Sequence, residues 1–175
     1  MIISRDGELV LTPIEHGFTA ELEDIYQLAC SDFGNFSGRG AVMNRRGLLP
    51  GQGAVLNASK PENLEHMALS VGTVTVGFVT LYRDFPGKSF VELLFMYIAP
   101  AARRMGSGTR ALDALSSYFY ESGYGTLRAR VGLDERDAMR FFYRAGFTSP
   151  LALEPAGDMD EDDFIALTLE KTVRR

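Results

Sequence analysis

The chain has 175 residues, 46% of them hydrophobic, which points to a single domain spanning 1–175 with a substantial core. A formal net charge of -5 argues against a nucleic-acid partner while permitting a cationic substrate, and no apolar run is long enough to span a bilayer. A single cysteine, Cys30, excludes an internal disulfide framework and fits a reducing, cytoplasmic setting, and the opening "MIISRDGELVL", interrupted by Asp6 and Glu8, does not read as a signal peptide.

"ELVLTPIE" (8–15) alternates as an opening strand. Thr19 is a candidate N-cap, and Leu22, Ile25, Tyr26, Ala29 and Phe33 then follow helical spacing up to Gly34, where the helix is expected to end. Residues 34–60 are rich in glycine and read as a site-bordering loop with a second helix over 39–48. "HMALSV" and "VTVGFVTLYRD", joined by "GT", predict a hairpin. After the turn "FPGK", the nearly continuous apolar run "SFVELLFMYI" (89–98) predicts a strand buried on both faces, and Pro100 stops it.

"GSGTRALDALSSYFYESG" predicts a helix over 106–122. Its stripe is Leu112, Leu115, Phe119 and Ser122, flanked by Ala111, Ala114 and Tyr118, with Gly123 at its left-handed end. "TLRARVGL" (126–133) alternates as a strand. "DERDAMRFFYRA" predicts a short helix opened by Asp134 and closed by Gly146, and "FTSPLAL" and "DFIALTLEKTV" are the last two strands. The order β-α-(α)-β-β-β-α-β-α-β-β describes a mixed α/β (α+β) chain around one central mixed sheet with helices on both faces. The segment from 89 to 133 is expected to be a parallel, right-handed strand–helix–strand crossover.

The turn "RRMGSGTRA" between that central strand and its helix carries the chemistry. Glycines at 106 and 108 allow a tight turn and close approach of a ligand to the backbone. The first amides of the next helix lack intrahelical partners and sit at the positive end of its dipole, an arrangement that suits an anion such as pyrophosphate. Arg103 and Arg104 add charge, and Thr109 adds a hydroxyl. A plain strand-to-helix turn remains the alternative. A dinucleotide loop does not fit, because Ile98 to Gly106 is too long a gap and the next strand offers Arg128 and Arg130 where a ribose-binding carboxylate belongs. A triphosphate loop ending in "GKS" (87–89) fails because Tyr82 replaces its upstream glycine.

"RRMGSG" (Arg103–Gly108) resembles the R/Q-x-x-G-x-G/A signature of the GNAT superfamily of acyl-CoA-dependent N-acyltransferases. Met96, Ile98 and Pro100 stand where the family has apolar residues and a proline, and "AMRFFYRAGF" (138–147) matches the family's later alanine, aromatic pair and "GF". The resemblance covers nearly the whole chain. It implies a GNAT-like fold and N-acetyl transfer from acetyl-CoA, without a metal, to a primary amine of a small molecule, peptide or protein in a ternary complex; dimers are frequent among relatives. It further implies pyrophosphate binding by the turn amides of Arg104, Met105, Gly106, Ser107, Gly108 and Thr109. The pantetheine arm would lie against the main chain of Met96 and Ile98, where the central strand splays from its neighbour.

Glu92 lies where some relatives carry a catalytic glutamate, and an apolar strand would partly desolvate it. It is either the general base or a structural partner of an arginine. Phe142 occupies the family's usual place for a proton-donating tyrosine. Its neighbour Tyr143 is the candidate acid, about 100° away around a helix. Phe142 also leaves open a second implication, a GNAT-fold module that binds acyl-CoA with little turnover. Asp158, Asp160 and Asp162 imitate a calcium loop, but Asp163 and Leu169 stand where its glycine and closing glutamate belong. These acids form either a solvated turn or an attraction for a cationic amine. His16 and His66 show no partner pattern.

Overall fold

In the computed structural model, residues 2–3, 7–14, 20–37, 61–133, 135–148, 153–155 and 165–174 are described. The chain order is β1 (Ile2–Ile3), β2 (Leu9–Pro13), α1 (Ala20–Ser37), β3 (Leu64–Val71), β4 (Val74–Arg83), β5 (Phe90–Ile98), α2 (Ser107–Glu121), β6 (Thr126–Gly132), α3 (Arg136–Arg144), β7 (Leu153–Pro155) and β8 (Ile165–Thr172). The strands form one sheet in the order β1-β2-β3-β4-β5-β6-β8-β7. Among the described residues only β5 and β6 are parallel, linked through α2, and the other neighbouring pairs are antiparallel. No helix among the described residues is long and apolar enough to cross a membrane.

The two faces of the sheet bury different groups. Ile25, Tyr26 and Ala29 of α1 pack on Phe78, Phe95 and Tyr97. On the other face, Ala111, Leu112, Leu115 and Phe119 of α2 meet Leu69, Val79, Leu81, Val91, Leu93 and Leu127, with Phe141 and Phe142 of α3 packed alongside. Leu112, Leu115 and Phe119 are fully buried, and each such side chain contributes about 1.5–3 kcal/mol over an exposed one.

Two expectations are corrected. α1 does not end at Gly34 but continues to Ser37. A lone glycine costs a helix about 1 kcal/mol relative to alanine, which is a penalty and not a stop. The strand expected over 147–153 does not begin at Phe147: that residue is committed to capping α3, its amide bonded to the Phe142 carbonyl and its side chain fully buried. β7 is Leu153–Pro155, and residues 149–152 lie outside the described residues. The helix expected over 39–48, the Thr19 cap and the acids at 158–163 lie outside the described residues.

Candidate functional site

β5 changes character at its midpoint. It pairs with β6 only from Phe90↔Thr126 to Leu93↔Ala129, whereas its pairing with β4 runs on to Ile98. The register with β4 shifts between Thr80 and Leu81, leaving Leu94 as an extra residue opposite no partner. Such a bulge bends the strand and increases its twist. Past Leu94 the two parallel strands therefore part, and Leu94–Ile98 have no β6 partner. Met96 and Ile98 lie in this open half, on the side of the sheet that α2 covers.

The turn that follows opens with a short 3-10 segment, Pro100–Ala102. Arg104, at φ +63, and Gly106, at φ +81, both adopt left-handed backbone. Gly106 is the N-cap of α2, without a side-chain cap and with no acidic residue in the first helical turn. Among the described residues no carbonyl or side chain accepts from the amides of residues 104–109; the first bond of the helix is Arg110 N–H to the Gly106 carbonyl, at 3.0 Å. A run of unpartnered amides at the positive end of a fifteen-residue helix suits the pyrophosphate of CoA. The Met105 and Thr109 side chains are exposed beside it, whereas Ser107 is buried.

The two glycines differ in what requires them. A Cβ on Gly106 would meet nothing within 4 Å, so its backbone conformation alone demands glycine. A Cβ on Gly108 would lie 2.9 Å from Phe141 Cε2 and 3.7 Å from Met96 Cε. At Gly108 a phenyl ring thus fills the place of a side chain and packs α2 against α3.

The two arginines also separate. Arg103 Nε donates to the Ile98 carbonyl at 2.7 Å, and its Nη2 donates to Asp32 Oδ2 of α1 at 2.7 Å. Its guanidinium lies 5.2 Å from the Tyr97 ring centroid, and the Tyr97 hydroxyl donates to the same Asp32 oxygen at 2.7 Å. The Tyr97 bond and then the Arg103 bond hold the Asp32 carboxyl below its ordinary range. Burial, then Asp32, pushes the Tyr97 phenol up to about 12. Arg103 thus ties α1 to the end of β5, whereas Arg104 has no partner among the described residues and is exposed at the turn. Arg110 is held by Glu8 and the Met105 carbonyl.

Glu92 lies in the closed half of β5, on the α1 side of the sheet, and is 1% exposed. Its Oε1 accepts from Arg130 Nε at 2.8 Å, and its Oε2 lies 3.9 Å from Arg128 Nη1. Arg128 Nε is 3.4 Å from Glu170 Oε1. In register, Tyr82, Glu92, Arg128 and Glu170 form one row across β4, β5, β6 and β8. The structure thus joins Glu92 to arginines and not to Tyr143, which lies on α3, the helix packed against the opposite face. Sequence reasoning assigned no role to Arg128 and Arg130, although "LRARV" carried the signal: arginines two apart share a strand face, opposite Leu127, Ala129 and Val131. Two further groups went unassigned. His66 Nδ1 lies 3.1 Å from Thr80 Oγ1, with burial lowering the imidazole pKa. Among the described residues no group of His, Cys, Asp and Glu is arranged to hold a metal.

At the end of α3, Gly146 is at φ +88, with its amide bonded to the Tyr143 carbonyl and the Phe147 amide bonded to the Phe142 carbonyl. This is a Schellman cap. Its usual hydrophobic contact is the Phe142–Phe147 pair, with ring centroids 5.0 Å apart. Phe142 therefore closes the helix end, and Tyr143, 44% exposed, points outward beside it.

A family model described as the acetyltransferase (GNAT) family matches residues 22–147. No curated protein matches the chain in sequence. Among solved structures the chain is similar to Ard1 from Thermoplasma volcanium, with a TM-score of 0.64 and 22% identity, covering 96% of this chain and 99% of that one. It is similar to the ribosomal-protein-S18-alanine N-acetyltransferase from Escherichia coli, with a TM-score of 0.62 and 12% identity over 95% of both chains. It is also similar to a GNAT family acetyltransferase from Elizabethkingia anophelis with acetyl-CoA bound, with a TM-score of 0.62 and 13% identity over 94% of this chain and 98% of that one. The splayed central strands, the amide-lined turn and the family match agree: this chain belongs to the GNAT acetyltransferase family and is an acyl-CoA-dependent N-acyltransferase.

Proposed function

We propose that the protein moves an acetyl group from acetyl-CoA to a primary amine of a small molecule, peptide or protein, by direct transfer in a ternary complex. The observation that carries this reading is the set of unpartnered amides at residues 104–109, beside the point where β5 and β6 part. In this reading those amides and Arg104 hold the pyrophosphate, and Arg103 holds the turn in place. The pantetheine arm follows the open half of β5 past Met96 and Ile98, with the Ile98 carbonyl already engaged by Arg103. A cytoplasmic setting belongs to the same reading and is supported by the lone cysteine.

The amine must lose a proton before attack, and the departing thiolate must gain one. Glu92 is proposed as the base and Tyr143 as the proton donor. The 2.8 Å bond from Arg130 favours a second role for Glu92, that of orienting the guanidinium. The pH profile of kcat/KM for Glu92→Gln separates the two: loss of the acidic limb marks a base, and a uniform fall marks a positioning residue.

Steady-state release of CoA with a panel of amines tests the function, with Gly106→Glu as the control. At φ +81 the new side chain is strained, and its charge opposes the pyrophosphate, so acetyl-CoA affinity should fall by about a hundredfold or more. Tight acetyl-CoA binding without turnover on any amine would sink the transfer reading and leave a binding module. Unchanged affinity in the variant would refute the amide cradle.

A further inference from the structure

We propose that Arg130 and Thr168 form an anchor for a carboxylate on the acceptor, so that the substrate is an amine that also carries a carboxylate, of the amino-acid type. The inference rests on the amine-transfer reading above and narrows its substrate class.

Arg130 occupies a singular place. Ala129 is the last β6 residue paired with β5, and Arg130 follows it, on the sheet face shared with Glu92. Its guanidinium therefore stands at the apex of the opening between the strands, level with the Leu94 bulge. It is the more accessible of the two β6 arginines, its side chain 26% exposed against 9% for Arg128. Its Nε is committed to Glu92 Oε1, which fixes the plane of the guanidinium. Among the described residues its two terminal nitrogens have no partner.

Thr168 of β8 is directly opposite Arg130 in the antiparallel register. Residues so paired hold their side chains on the same face, with Cβ atoms about 5 Å apart. Thr168 is 0% exposed, and its Oγ1 has no hydrogen-bond partner. A fully buried hydroxyl without a partner is unusual, because water and protein normally compete to satisfy it. An unused guanidinium edge and an unused hydroxyl on the same sheet face offer N–H and O–H donors to one ligand, and the guanidinium has no acceptor to offer a cation. A carboxylate answers both: two parallel N–H bonds to one planar group, and a hydroxyl bond to a remaining lone pair.

Charge supports the choice of ligand. Arg128 lies between Glu92 and Glu170, at 3.9 and 3.4 Å, so both acids already face a cation. Arg130, 26% exposed, is the most accessible member of the cluster, ahead of Glu170 at 20% and Arg128 at 9%. A polyamine or another purely cationic acceptor would meet repulsion there. An amino acid would be held by its carboxylate with its amine directed toward the gap that takes the thioester.

The test compares the twenty L-amino acids with their α-carboxamides, matched amines that differ in the anionic group. Titration calorimetry in the presence of CoA reads binding independently of turnover, and CoA release reads kcat/KM. At least one amino acid should bind ten- to a hundredfold tighter than its carboxamide. Arg130→Lys, which keeps the charge but loses the fork, and Arg130→Gln should each reduce that ratio at least tenfold, and Thr168→Val should reduce it about threefold. Retained stabilisation by acetyl-CoA in a thermal melt shows that each variant is folded. A carboxamide bound as tightly as its amino acid throughout, or a ratio unmoved in both Arg130 variants, overturns the anchor. If carboxamides are acetylated as well as amino acids, transfer stands and the anchor falls. If an amino acid binds through Arg130 but no amine is acetylated, the anchor stands and transfer falls.

Discussion

The ends of α2 and α3 are built on the same six-residue device. "FYESGY" (119–124) and "FYRAGF" (142–147) each place a phenylalanine and tyrosine before a glycine and a further aromatic. In both, the glycine is left-handed, at φ +86 for Gly123 and +88 for Gly146, and the following amide bonds back to the phenylalanine carbonyl, at 2.9 and 3.0 Å. In both, the two aromatic rings meet edge to face, at 5.5 Å for Phe119–Tyr124 and 5.0 Å for Phe142–Phe147. The tyrosines match as well, at 48% and 44% exposure. What differs is depth: Phe119 is fully buried and Phe142 only partly. Phe142, at the position that the resemblance gives to a proton-donating tyrosine, thus has a complete explanation as a capping residue, and its twin at the end of α2 shows the same device away from the turn at 103–108.

The largest expected effect tests that difference in depth. Phe119→Ala should cost about 3–5 kcal/mol in denaturant unfolding, the usual range for emptying a buried aromatic site. Phe142→Ala should cost roughly half as much, because solvent already reaches its ring. Equal losses would mean that α3 is seated as deeply as α2. The next effect tests the shared backbone. Gly123→Ala and Gly146→Ala should each cost about 1–2 kcal/mol, from left-handed strain alone. A Cβ at Gly123 meets nothing within 4 Å, and at Gly146 its nearest neighbour is Lys171 Cε at 3.7 Å, an ordinary contact. A much larger loss at Gly146 would show that its cap also holds Lys171 and β8 in place.

Legibility in the sequence followed the range of the interactions. The β3–β4 hairpin and the α2 stripe are local patterns readable from spacing alone, whereas spacing showed at 103–108 only a turn and left its role to the family resemblance. The capping device is local too, and its signal is the likeness of "FYESGY" to "FYRAGF" within the chain itself. The neighbours of Glu92 were not readable, because they depend on how β5, β6 and β8 align, and β6 and β8 lie far along the chain from it. Alternation also fails within β5. By strict alternation Met96 and Ile98 would share a face with Glu92, yet the Leu94 bulge turns them to the side of Val91 and Leu93. That one extra residue separates the buried ionic row from the open half of the strand. What requires a glycine at 108 was illegible for a related reason: Phe141, on another helix, fills the place of a side chain.

The smallest expected effect on stability is the most informative about chemistry. Tyr120→Phe and Tyr143→Phe each remove one hydroxyl from a side chain that is nearly half exposed, and each should leave stability within about 0.5 kcal/mol. Neither hydroxyl has a hydrogen-bond partner among the described residues. The two variants are therefore matched in everything the capping device accounts for, so a difference in turnover cannot come from the cap. If Tyr143 delivers a proton to the leaving thiolate, Tyr143→Phe alone should lower kcat, by about a hundredfold or more, with acetyl-CoA affinity retained. If both variants turn over like the parent, Tyr143 is the outward-facing member of a helix cap, as Tyr120 is, and the proton reaches the thiolate from solvent.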